Sequence, residues 1–251
     1  MSREPVVAVS LKLYFDTART LAYCHDVALG VAALNSPGDA GVTVAVLPDF
    51  LSIPQVATEL TAAGIVLGAQ DLCQADRGPF TGEVSGLDLA SAGCSVVEVG
   101  HAERRSIYGE GDAMVAAKVA AASRCGLIPL ICVGETERST PAEAAAACLR
   151  QLHSFTGDTP LEEVWLAYEP VWAIGAPAPA PASYVRGVAG ALRAGTEGAW
   201  PCVRILYGGS AGPGLLSELF PAVDGLFLGR FAHNPDALLD VVGEALLLGS
   251  G

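Results

Sequence analysis

The chain has 251 residues, of which 51% are hydrophobic, and its 27 Asp and Glu against 14 Lys and Arg give a formal net charge of −13. That surplus of acid argues against an electrostatically driven nucleic-acid binder, which needs clustered cations to displace phosphate counterions, so any anionic ligand must find a local positive site. The length suits one large domain covering residues 1–251. Seven cysteines lie scattered, with neither a disulfide framework nor metal-ligand spacing, and read as reduced thiols with no metal site. The N-terminus lacks an apolar signal core and no apolar run is long enough to span a bilayer. A soluble, cytoplasmic protein without membrane or nucleic-acid partners is therefore expected.

In chain order, short β-branched apolar runs recur at 6–9, 42–47, 65–67, 96–99, 127–133, 164–168, 203–207 and 225–228. Ala- and Leu-rich stretches with helical periodicity separate them, among them 114–124, 141–152, 183–193 and 214–220. Strands that are apolar throughout belong to a parallel sheet buried on both faces, and eight strand–helix units favour closure into a (β/α)8 barrel over an open doubly wound sheet. The one low-complexity segment, Ala176 to Pro181, reads as a stiff loop tip between a strand and a helix rather than a linker.

Three reactive side chains stand just beyond strand C-termini. Lys12 follows the first run. His101 sits between the strand 96–99 and the polar, helix-like Glu103-Arg104-Arg105. Glu169 ends the sixth run and is followed by Pro170 and an apolar loop that closes on Gly175. Alone, each would be a surface lysine, a capping histidine and a solvated strand end. In a barrel the loops after strand C-termini converge on one site, and a Glu held by a rigid strand yet covered by the next loop suits proton abstraction from carbon. At a helix start the macrodipole keeps an imidazole neutral. A lysine near developing oxyanion charge is worth roughly 4 kcal/mol at ~4 Å and an effective dielectric of ~20. After the seventh run, Gly208, Gly209 and Ser210 offer backbone N–H groups and a hydroxyl to an anion, and Gly229 after the eighth completes a barrel phosphate site.

Gly68-Ala69-Gln70, Phe80 to Ser85, Gly100-His101 with Glu103-Arg104-Arg105, Cys132-Val133-Gly134-Glu135, Tyr168 to Gly175 and Tyr207 to Ser210 together resemble the triosephosphate isomerase family over nearly the whole chain. The resemblance implies a TIM barrel working without a cofactor on a small phosphorylated sugar, in glycolysis and gluconeogenesis. It implies Glu169 as the base that moves a proton between neighbouring carbons, His101 as the group that polarises the oxygens, and Lys12 facing the enediolate and phosphate. Gly175 would add an N–H on lid closure, Trp172 would meet Glu135, Tyr207 would latch the loop, and Glu103 would support the site. Phe80 to Ser85 is similar to a loop that enters the partner subunit, with Thr81 at its tip, and implies a homodimer.

The chain also departs from that family. Ser10 replaces an Asn and gains space near the reacting carbons. Ala102 replaces a Ser that holds the resting base, and Asp71 replaces an Asn, adding negative charge. Gly229-Arg230-Phe231 replaces Gly-Gly-Ala, which offers Arg230 as an added phosphate contact in preference to a solvent-facing side chain. Ala176-Pro177-Ala178 replaces the lid tip and should alter its motion. The expected activity is an aldose–ketose isomerase of a small sugar phosphate, with the triose phosphates first. An isomerase of a four-carbon ketose phosphate such as erythrulose phosphate comes second, and a non-catalytic sugar-phosphate binder third.

Overall fold

The computed structural model describes residues 4–34, 41–175 and 178–249. Each apolar run of the sequence becomes a strand: β1 Val6–Ser10, β2 Thr43–Leu47, β3 Val66–Ala69, β4 Val96–Val99, β5 Ile128–Val133, β6 Glu163–Tyr168, β7 Cys202–Tyr207 and β8 Gly225–Leu228. All pair in parallel with their sequence neighbours, and β8 returns to β1 through Val6 opposite Gly225, which closes the barrel. The open-sheet alternative is thereby excluded. Parallel pairing requires a crossover between strands, and the helical stretches supply them: α1 Thr17–Leu34, α2 Ile53–Ala62, α3 Gly86–Ser91, α4 Ala102–Ile107, α5 Asp112–Arg124, α6 Pro141–Thr156, α7 Ala182–Thr196, α8 Leu215–Leu219 and α9 Pro235–Gly249.

Two cores follow from the period-two alternation of side chains along each strand. One face packs outward on the helices, for example Val7, Val9, Val97, Val99, Ile131 and Leu166. The other fills the barrel interior with Ala8, Leu47, Val96, Leu130, Trp165 and Leu206. Burying such a side chain contributes about 1.5–3 kcal/mol, so the paired faces fix strand register strongly. The third strand runs on through Gly68 to Ala69, beyond the apolar run seen in sequence. Gly68 is tolerated because a side chain there would sit 2.7 Å from Leu47 and Val96. The helix starts are specified locally too, as in α6, where Thr140 and Glu143 cap each other reciprocally.

Because every strand points the same way, all strand C-termini open at one rim. Lys12, His101 and Glu169 each lie one or two residues past such an end.

Candidate active site

Lys12, His101 and Glu169, from the ends of β1, β4 and β6, line one cavity of about 1010 Å³, as does Ser10. Lys12 has φ +51°, the single non-glycine residue with positive φ among the described residues. Backbone in that region costs on the order of 1–3 kcal/mol and persists where surrounding structure enforces it. Its ammonium donates to Glu103 Oε1 at 2.7 Å. Burial lowers the Lys12 pKa, but that hydrogen bond and the charges of Glu103, Glu169 and Glu98 outweigh it and hold the pKa above its ordinary value. Lys12 is therefore a cation in the site.

His101 is the N-cap of α4, and its Nδ1 accepts from the Glu103 backbone N–H at 3.1 Å. The neutral ring must then carry its proton on Nε2. That nitrogen lies 3.5 Å from Glu169 Oε2 and 3.9 Å from Glu98 Oε1. Glu169 is buried, and its Oε2 has no hydrogen-bond partner among the described residues. Its side chain passes so close to β7 that a Cβ at position 208 would stand 2.4 Å from Glu169 Cγ, so Gly208 leaves room for the Glu169 side chain.

Glu98 was not singled out from the sequence. It is 3% exposed on β4, two residues from Val96 and hence on the interior face. Its Oε2 accepts from Ser10 Oγ at 3.0 Å, and Cys132 Sγ lies 4.0 Å from Oε1. Burial pushes its carboxyl up to about 7, with Glu169 adding to the rise and His101, Lys12 and Ser10 opposing it. The signal was present as a lone acid inside an otherwise apolar parallel strand.

The anion side of the same cavity is lined by Gly209, Ser210 and Gly229, with Gly175 from the loop after β6. Gly209 has φ +111°, which only glycine adopts freely, and this turns the backbone of the loop toward the cavity. Ser210 Oγ reaches the Ala173 carbonyl at 3.4 Å, tying the two loops together. Arg230, exposed, stands at the cavity rim without an ion-pair partner among the described residues. Phe231 beside it packs over Gly212, where a Cβ would lie 3.1 Å from the ring.

The loop after β6 is anchored at both ends. Trp172 Nε1, Tyr184 OH and Tyr168 OH donate to Glu135 Oε1 at 2.8, 2.8 and 3.2 Å, and Ala180 N–H donates to Tyr207 OH at 3.1 Å. Glu135 and Tyr207 thus hold the two ends of the loop after β6, with Trp172 as one of the bonded groups. Tyr184 was missed in the sequence because it lies on α7, beyond the loop. Ala176 and Pro177 of the substituted tip lie outside the described residues.

Asp71 is buried, yet its charge is met. Lys118 donates to both its oxygens at 2.7 Å and to Glu110 at 2.6 Å, while Arg104 bridges the same two carboxylates. Thr81 is exposed, in a loop whose ends are joined by a bridge between Cys73 and Ser85. Among the described residues no group of His, Cys, Asp and Glu is arranged to hold a metal ion, and no helix is long and apolar enough to cross a membrane.

A carboxylate oxygen without a partner, an imidazole N–H and an ammonium facing one cavity, with a glycine-turned loop opposite, can shift a proton between carbons of an anionic sugar. The fold and site are those of a sugar-phosphate isomerase. Residues 5–245 match the family described as triosephosphate isomerase. An L-erythrulose-1-phosphate isomerase of Pectobacterium atrosepticum is 44% identical, covering 99% of this chain and 98% of that protein. One of Mesorhizobium japonicum is 40% identical over 90% and 93%. The crystal structure of triosephosphate isomerase from Bartonella henselae superposes with a TM-score of 0.79 at 29% identity, covering 95% of this chain and 98% of that one. The chain belongs to the triosephosphate isomerase family.

A carboxyl raised from its ordinary value to about 7 in the fold contributes stability below that ordinary value, and loses it as pH rises through about 7. Lys12, His101, Glu169 and Cys132 are the titratable groups around Glu98. Glu98→Gln should remove this dependence. Its melting temperature relative to wild type should rise between pH 5 and pH 8 by about 3 °C or more, and a pH-independent difference in thermal scans would refute the assignment.

Proposed function

We propose that the chain isomerises a four-carbon ketose phosphate, L-erythrulose 1-phosphate, through an enediolate. The sequence reading put the triose phosphates first. The observation that carries the change is the 44% identity, over nearly full length, to a protein named for the four-carbon substrate. Ser10 at the cavity wall, smaller than the Asn it replaces, supports the same reading by leaving room beside the reacting carbon.

The chemistry follows from where each group stands. In a ketose 1-phosphate the carbonyl is at C2, and the carbon to be deprotonated, C3, carries a terminal hydroxymethyl. Glu169 takes the C3 proton, and the electron pair spreads onto the C2 oxygen. His101 donates from Nε2 to that oxygen and accepts the proton of the C3 hydroxyl in its place. Lys12 offsets the developing negative charge, and Glu169 returns its proton to C2. The carbonyl has then moved one carbon away from the phosphate. On a triose the same step yields an aldehyde, and with one more carbon it yields a ketone.

The phosphate is received by the backbone of Gly209, Ser210 and Gly229, with Gly175 joining from the lid and Arg230 adding a guanidinium at the rim. Site closure excludes water from an enediolate that would otherwise eliminate phosphate. The anchored lid ends at Glu135 and Tyr207 support that step.

A homodimer is part of the reading. Leu13 is 90% and Tyr14 53% exposed immediately beyond Lys12, at the same end of the barrel as the loop carrying Thr81 and the exposed Phe80. Large apolar groups left bare beside a catalytic lysine suit coverage by a second copy. Seven free thiols favour a reducing, cytoplasmic setting.

Steady-state assays of one preparation should give a higher kcat/KM for L-erythrulose 1-phosphate than for dihydroxyacetone phosphate, and the reverse order would return the triose assignment. Glu169→Gln should abolish solvent-deuterium exchange at the substrate carbon with little change in phosphate-ester binding. Arg230→Gly should do the opposite, raising KM while exchange persists, and exchange unaltered in the first variant would remove Glu169 from the mechanism. Light scattering should return twice the 25.6 kDa chain mass, whereas a monomeric mass in active protein would sink the dimer.

A further inference from the structure

Glu98 is a buried acid that the transfer of a proton between carbons does not use. Taking a carboxyl out of water is costly unless hydrogen bonds compensate, and here the compensation is thin: one short bond from Ser10 and a thiol at 4.0 Å. An apolar side chain would fit this interior face, between Val96 on its own strand and Leu130 opposite in register, at less cost. Groups held at such expense in a cleft mark function more often than stability.

The direction of the Ser10–Glu98 bond says what the pair can do. Ser10 gives its only proton to Glu98 Oε2 at 3.0 Å, so its oxygen offers the cavity lone pairs alone. It is an acceptor, waiting for a donor. Its position is equally specific. The acid that holds it lies 3.9 Å from His101 Nε2, and the same nitrogen lies 3.5 Å from the base Glu169. Through Glu98 the acceptor is thereby tied to the imidazole that faces Glu169, while Ser210 is tied to the Ala173 carbonyl of the loop after β6. Lys12 gives one of its three N–H donors to Glu103, and no hydrogen bond joins it to the Ser10 side chain among the described residues.

We infer that Ser10 and Glu98 form one hydroxyl-reading pair, in which the buried carboxyl orients the Ser10 hydroxyl so that its oxygen accepts from the terminal hydroxymethyl of a four-carbon substrate. This rests on the substrate proposed above. A triose phosphate carries hydrogen in place of that group and leaves the acceptor unmatched, the kind of loss by which a polar pocket discriminates strongly. Glu98 is then a positioning residue acting through Ser10, and Ser10 is the residue that sets chain length.

The test is the ratio of kcat/KM for L-erythrulose 1-phosphate to that for dihydroxyacetone phosphate. Ser10→Ala and Glu98→Leu should each lower the ratio about tenfold or more, and the double variant should lower it no further, because both changes break the same unit. Glu98→Gln keeps an acceptor for Ser10 and should stay within about threefold of wild type. An unchanged ratio in Ser10→Ala, which removes one oxygen and does not threaten folding, overturns the assignment even if Glu98→Leu fails to fold. So do single-variant losses that multiply, or a Glu98→Gln ratio as low as that of Glu98→Leu. A wild type that prefers the triose overturns the substrate reading and this inference together. A wild type that prefers the tetrulose, with variants losing both activities in proportion, overturns this one alone.

Discussion

Closure of β8 onto β1 is the constraint from which the site follows. Eight strands running the same way, each bonded to its neighbour and the last bonded to the first, leave only one place where their C-terminal loops can go. Lys12, His101 and Glu169 are separated by up to 157 residues of chain, yet they meet because each sits just past the end of its own strand. Register is what makes this reliable. A slip of one residue in β4 would turn Val96 and Glu98 outward and Val97 and Val99 inward, at the cost of both cores.

Within that frame the site is unusually acidic for one that binds an anion. Glu98, Glu103 and Glu169 all act on Lys12, and their charge keeps its ammonium protonated against the pull of burial. Burial, with the charge of Glu169 adding to it, pushes the Glu98 carboxyl up to about 7. Of the pair, Glu169 is the one whose Oε2 has no hydrogen-bond partner among the described residues. Net charge over the whole chain says nothing of this, since the cations that count are Lys12 inside the cavity and Arg230 at its rim.

The lid shows the same economy of polar groups. Three donors, from Tyr168, Trp172 and Tyr184, converge on one oxygen of Glu135, and the Arg138 guanidinium lies 5.4 Å from the Trp172 ring. These bonds hold the described ends of the loop, and Gly175 between them lines the cavity. Catalysis by proton transfer needs both properties, a base fixed to a strand and a cover that excludes water.

The amino-acid sequence alone determined the eight apolar runs, the parallel barrel and the three reactive residues past strand ends, because hydrophobic periodicity and turn chemistry are local. It also placed Gly208 to Ser210 just past a strand end, where Gly209 and Ser210 line the cavity, while the packing of Glu169 against Gly208 came from the tertiary structure. Only the tertiary structure decided that Glu98 faces Ser10, that Tyr184 joins Trp172 on Glu135, and that Lys118 and Arg104 neutralise Asp71. Each of these pairs residues from different strands or helices. Their contact is set by barrel closure and side-chain direction, quantities that no window of neighbouring residues contains.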